Sequence, residues 1–103
     1  FEARLAFQHL RQELCFLGHS HQPFVIGERG GEGQVQKGER FLINVGSVGQ
    51  PRDGNPQLSF GIFDTEAWEY RNLRRTYDVE AAAAKILEAG LPRRLADRLH
   101  VGW

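Results

Sequence analysis

Four consecutive residues, Gly18-His19-Ser20-His21, carry the densest chemistry in this 103-residue chain. They follow an apolar run, Leu14-Cys15-Phe16-Leu17, that suits a short strand. In extended backbone, residues i and i+2 point to the same side, which would set the two imidazoles on Cβ atoms roughly 6–7 Å apart. Nitrogen donors on that spacing reach one metal ion or two adjacent ones, and two-metal hydrolytic sites hold their ions about 3.5–4 Å apart. Gly18 permits a sharp turn at the strand end, where α/β folds commonly place functional loops. The competing reading is two surface histidines in a turn, because His-x-His alone is a weak motif. The apolar strand before it and Pro23-Phe24-Val25-Ile26 after it favour a rigid ligand platform.

A second candidate is the loop Gly46-Ser47-Val48-Gly49-Gln50-Pro51-Arg52-Asp53-Gly54-Asn55. Backbone N–H groups around Gly46, Ser47 and Gly49 could form an anion-binding concavity, with Arg52 pairing with a phosphate. The alternative is bracing, in which Asn44 and Ser47 hold the neighbouring histidine loop and Arg52-Asp53 stabilises the turn itself. Loops rich in Gly, Pro and Asp are turn chemistry first, which favours bracing. Other segments fall away. Gly27-Glu28-Arg29-Gly30-Gly31-Glu32-Gly33 lacks the Gly-Lys-[Ser/Thr] ending and the following helix of a phosphate loop. Cys15 sits in an apolar run and reads as a small buried hydrophobe, not as a nucleophile paired with His19. His9 and His100 lie in helical patterns and read as solvated.

The elements that must position these residues follow from periodicity. Residues 1–13 read as a helix with Phe1, Leu5, Ala6 and Leu10 near one face. Leu14–Leu17 and Phe41–Val45 read as central strands buried on both faces, with Phe24–Ile26 a further strand. Residues 27–38 hold five glycines and read as an exposed hairpin connection. Leu58–Asp64 and Trp68–Leu73 are strands joined by a turn at Thr65–Ala67. Asp78 is a helix N-cap, Gly90 suits the position just past the helix end, and Pro92 opens a second helix to His100.

Lys plus Arg and Asp plus Glu balance at 13 each, which argues against a nucleic-acid backbone or an anionic membrane as main partner. No apolar run approaches the roughly 18 residues of a membrane span, and no signal-peptide pattern opens the chain. One cysteine precludes an internal disulfide and points to a reducing, cytoplasmic compartment. The length allows one small domain. A chain opening in mid-helix pattern at Phe1 reads as part of something longer.

The segment Leu14 to Pro23 resembles the apolar strand and G-H-[ST]-H that close the metal-binding motif series of calcineurin-like metallophosphoesterases. Asn44-Val45-Gly46-Ser47-Val48-Gly49-Gln50-Pro51-Arg52-Asp53 resembles the N-x-G-S-V-G-Q-P-R-D loop of the small bacterial members, and Ala89 to Leu99 is similar to their C-terminal helices. The resemblance implies an α/β fold, the C-terminal half of a four-layer α/β/β/α sandwich with two mixed sheets face to face. It implies that His19 and His21 are metal ligands, one to each of two divalent ions (Mn, Fe, Zn or Ni), with a small phosphate monoester or diester as substrate. Arg52 is the candidate substrate-binding residue, and no residue here is assigned as catalytic. The family's D-x-H, G-D-x-x-D and G-N-H motifs are absent, and Asp53, Asp64, Asp78 and Asp97 lack those neighbours. Residues 1–103 are thus expected to be one part of a single metallophosphoesterase domain, inactive alone. The rivals are a non-catalytic phosphate- or metal-binding module and one subunit of a split enzyme; an oligomer is compatible with either.

Overall fold

The computed structural model of the chain describes residues 3–103. The expected place of Phe1 on a helix face lies outside that range. Helix α1 (Ala3–His9) leads into β1 (Leu14–Leu17), β2 (Phe24–Gly27), β3 (Phe41–Asn44), β4 (Leu58–Asp64) and β5 (Glu69–Arg75). Helices α2 (Val79–Glu88) and α3 (Arg93–Val101) follow. The strands form two sheets, a mixed one in the order β1-β3-β2 and the β4-β5 hairpin. β1 runs parallel to β3 in the register Leu14↔Phe41 to Leu17↔Asn44, and β2 runs antiparallel to β3.

Strand alternation builds two unlike faces on the mixed sheet. Phe41 and Ile43 of β3 join Val35 and Tyr70 of β5 in a core between the sheets, with Leu14, Val25, Phe63 and Trp68 packed round it. Phe16 turns the same way, its ring centroid 6.1 Å from those of both Phe63 and Tyr70. The opposite face carries Cys15, Leu17, Ile26, Leu42 and Asn44, which floor an open groove of about 730 Å³. Ala6, His9 and Leu10 of the α1 region wall it, and the histidine loop lies at its rim.

Expectation and structure part in several places. Leu14–Leu17 is not buried on both faces: β1 has β3 on one side, no strand on the other among the described residues, and a half-exposed Phe16. Cys15 is half-buried, because the groove beneath it is open. In α1 the buried residue is Phe7, whose ring lies 5.9 Å from the Arg40 guanidinium, while Leu5 faces solvent. The 27–38 connection is not wholly exposed. Val35 is buried, and the Gln34 side chain bonds both backbone groups of Tyr70, docking the connection on the second sheet.

The C-terminal helices follow their sequence signals closely. The Asp78 carboxylate accepts from Ala81 N–H at 3.0 Å, the N-cap bond that satisfies a free donor of the first turn. Gly90 takes φ 76° beyond α2, and Gly102 takes φ 75° beyond α3. Pro92 stands at the N-cap of α3, one residue earlier than a first-turn proline.

The unpaired β1 edge and the apolar groove beside it are an association hazard. The 103-residue chain expressed alone is expected to scatter light as species larger than a monomer. A monodisperse, cooperatively unfolding monomer would contradict that expectation.

Candidate metal centre

The chain leaves β1 at Leu17 and does not stay extended. His19 has φ 74° and His21 has φ 60°, both in the left-handed region. This corrects the expectation of strand-like alternation: two successive reversals, not a two-residue period, present the imidazoles. Left-handed backbone at a residue other than glycine costs about 1–3 kcal/mol and persists where neighbours hold it. The neighbours here are identifiable.

Asn44, at the end of β3, is buried with 1% of its surface exposed. Its Nδ2 donates to the Gly18 carbonyl and to Ser20 Oγ, both at 2.9 Å. Its Oδ1 accepts from Gly46 N–H at 2.9 Å. One amide thus ties the histidine loop to the start of the 46–55 loop. β3 sits centrally in its sheet, so the amide stands on rigid backbone. Gly46 has φ 79°, and a Cβ there would fall 2.4 Å from Ser59 Oγ, so no side chain fits. Ser59, itself buried, donates to the Val45 carbonyl and carries the same anchor to the second sheet.

The 46–55 loop folds back on His21. His21 Nδ1 lies 2.8 Å from the Gln50 carbonyl. A carbonyl only accepts, so Nδ1 carries the proton and the Nε2 lone pair is left free. Arg52 N–H donates to the His21 carbonyl at 3.0 Å, and Gln22 Nε2 donates to the Arg52 carbonyl at 2.9 Å. His19 is exposed at the groove rim. The conventional pattern of a metal-bound histidine, one ring nitrogen on a fixed acceptor and the other toward the ion, is available at His21.

The proposed anion concavity meets a competing use of its donors. Gly46 N–H is held by Asn44, and Ser47 Oγ accepts from both Gly49 and Gln50 N–H, at 3.2 and 2.9 Å. Arg52 directs Nε and Nη2 to Gln50 Oε1 at 2.9 and 2.6 Å. Asp53 Oδ1 accepts from Asn55 N–H at 3.4 Å, a weak brace of the turn of the kind the sequence suggested, but its main partner lies outside the loop. Asp53 pairs with Arg74 from β5, whose Nη2 also donates to the carbonyls of Asn55 and Gln57. Arg74, twenty-one residues further along the chain, was not singled out, and nothing local marks it among its neighbours Arg71 and Arg75.

Among the described residues no group of three or more His, Cys, Asp or Glu gathers where it could hold an ion. His19 and His21 therefore fit as two members of a ligand set and cannot complete a binuclear one. The model for the calcineurin-like phosphoesterase superfamily domain matches residues 2–67, well over half of the chain. The chain belongs to the calcineurin-like phosphoesterase superfamily. This is a family of phosphoester hydrolases that use divalent metals. A metallophosphoesterase from Sphaerobacter thermophilus superposes with a TM-score of 0.90 at 35% identity, over 98% of this chain and 47% of that one. An uncharacterized protein of Methanocaldococcus jannaschii is 44% identical over 96 residues, 87% of this chain and 40% of its own length. A hypothetical protein of Pyrococcus horikoshii shares the fold at a TM-score of 0.64 and 18% identity, over 88% of this chain and 32% of its own. The chain thus spans less than half the length of each of these proteins.

Two outcomes follow from this geometry. Asn44→Leu removes three hydrogen bonds and strands Gly46 N–H, while the exposed Gly18 carbonyl keeps its bond from Ser20 N–H at 2.9 Å. A destabilisation of about 1–3 kcal/mol is expected in denaturant titrations. The Arg74 guanidinium holds the Asp53 carboxyl below the usual carboxylate range. A depressed folded value gives stability that is present above the unfolded value and lost as pH falls through the folded one. The Asp53 carboxyl carbon should therefore titrate low by NMR, and Arg74→Gln should move its midpoint upward.

Proposed function

We propose that the protein containing this chain hydrolyses phosphomonoesters or phosphodiesters at a binuclear metal centre, with His19 and His21 as ligands, one to each ion. The observation that carries the reading is the histidine loop itself. Two imidazoles are held in left-handed backbone by a buried asparagine, one of them with Nδ1 engaged and Nε2 free. Such a loop meets no evident need of the fold. Its strained backbone is accounted for by presenting nitrogen donors.

When bound, the ions would polarise phosphate oxygens and lower the pKa of a water. The chain's own residues do the positioning. Asn44 fixes the loop that carries both ligands, Gln50 sets which nitrogen of His21 faces outward, and the groove beside His19 supplies an apolar wall. Nitrogen donors do not by themselves select among Mn, Fe, Zn and Ni. Arg52 retains Nη1 for a phosphate oxygen while Nε and Nη2 are engaged by Gln50. The remaining ligands are assigned to the part of the protein that lies beyond this chain. The balanced charge favours a small phosphate ester over nucleic acid. No described helix is long and apolar enough to cross a membrane. The single cysteine supports a reducing, cytoplasmic compartment.

A second reading has its own observation. The open groove and the unpaired β1 edge suit a docking partner, as one subunit of a split enzyme would require. The longer protein should turn over bis-p-nitrophenyl phosphate with Mn²⁺, and His19→Ala or His21→Ala should each lower kcat by at least about a hundredfold, the scale of a lost ligand. The 103-residue chain alone should hydrolyse nothing. Mn²⁺-dependent turnover by the purified chain would sink the partial-site account, and an unaffected double His variant would sink the ligand assignment.

A further inference from the structure

We infer that Gln50 is a positioning residue that couples the Arg52 guanidinium to the His21 imidazole. The inference rests on His21 being a metal ligand. Its basis is a closed ring of hydrogen bonds. His21 Nδ1–H donates to the Gln50 carbonyl at 2.8 Å. Arg52 Nε and Nη2 converge on Gln50 Oε1 at 2.9 and 2.6 Å. Arg52 N–H closes the ring on the His21 carbonyl at 3.0 Å.

Each end of Gln50 is separately fixed. Its N–H donates to Ser47 Oγ at 2.9 Å, and the next residue, Pro51, is fully buried. A following proline restricts Gln50 to extended backbone, which limits where its carbonyl can point. The side chain would still be free without Arg52. The guanidinium uses two donors on one acceptor, a fork that fixes direction as well as distance.

The consequence is chemical. A neutral imidazole outside a protein prefers its proton on Nε2, the nitrogen that His21 must keep bare to bind a metal. The Gln50 carbonyl selects the other tautomer. Losing an orienting contact to a ligand histidine typically weakens metal binding about 10–100-fold. His21 uses the backbone carbonyl of Gln50, so Arg52 acts on the metal by tightening the placement of that carbonyl at two points, its fork on the Gln50 side chain and its own N–H on the His21 carbonyl, without touching the ion. A purely substrate-binding Arg52 would leave the His21 tautomer alone.

The test is long-range ¹H–¹⁵N NMR on the longer protein that contains this chain, ¹⁵N-labelled at histidine and stripped of metal, at one neutral pH, with Zn²⁺ alone as the titrant. His9 and His100 serve as internal references. The expected result is a protonated Nδ1 and a bare Nε2 at His21. Gln50→Leu and Arg52→Met should each shift His21 toward the Nε2–H form and weaken Zn²⁺ binding about tenfold. Gln50→Glu, which keeps an acceptor for Arg52, should restore both, and Arg52→Lys should restore them in part. A His21 proton on Nε2 in the native sequence would overturn the inference, as would unchanged tautomer and Zn²⁺ affinity in Gln50→Leu and Arg52→Met. No substrate enters the experiment. An inactive longer protein with Nδ1–H at His21 would remove the hydrolase reading and leave the coupling standing; an active one with Nε2–H would do the reverse.

Discussion

A single buried amide holds the candidate site together. Asn44 satisfies the Gly18 carbonyl, Ser20 Oγ and Gly46 N–H at once, each at 2.9 Å. Buried polar groups are costly unless paired, so this arrangement admits few alternatives. It sits at the end of β3, whose four residues are all buried between neighbours on both sides. The loops on either flank of that strand inherit its rigidity. One flank carries His19 and His21. The other curls back through Ser47, Gln50 and Arg52 to hold His21 from behind.

The second organising feature is asymmetry between the two faces of the mixed sheet. One face is closed by the β4-β5 hairpin over Phe41, Ile43 and Tyr70. The other is open, with α1 along one wall of a groove and the histidine loop at its end. The chain spans less than half the length of each of the proteins it matches, and an incomplete ligand set accompanies the open face. Chemistry and packing point the same way. A third ligand and a cover for Cys15 and Leu17 would both have to come from outside the described residues.

Much of this was legible in the sequence, for local reasons. Asp78 and Gly90 announced α2 because caps act over a few residues. The bounds Leu58–Asp64 and Leu14–Leu17 could be read from apolar runs broken by Gly, Asp and Thr. The bracing role of Asn44 on the histidine loop was foreseen from loop composition, whereas Ser47, expected to share it, ties its own loop through Gly49 and Gln50 N–H. What failed depended on distance. The left-handed φ of His19 and His21 is imposed by contacts 24 to 29 residues away, which no periodicity records. The Asp53–Arg74 pair joins the 46–55 loop to β5, which no local pattern records. Burial of β1 was overestimated because an apolar run reports the environment a strand is suited to, not the neighbours present. Phe7 was missed in favour of Leu5 because the core-facing side of a seven-residue helix is weakly defined by its pattern.

His19 and His21 are proposed each to bind a metal ion in the protein that contains this chain. Anomalous diffraction at the manganese edge, on crystals of that protein soaked in Mn²⁺, tests it directly. The account predicts two anomalous peaks, one at bonding distance from a His19 ring nitrogen and the other from His21 Nε2, about 3.5–4 Å apart. Two occupied metal positions that leave either imidazole unligated, or a His21 ligating through Nδ1 with its bond to Gln50 broken, would contradict it.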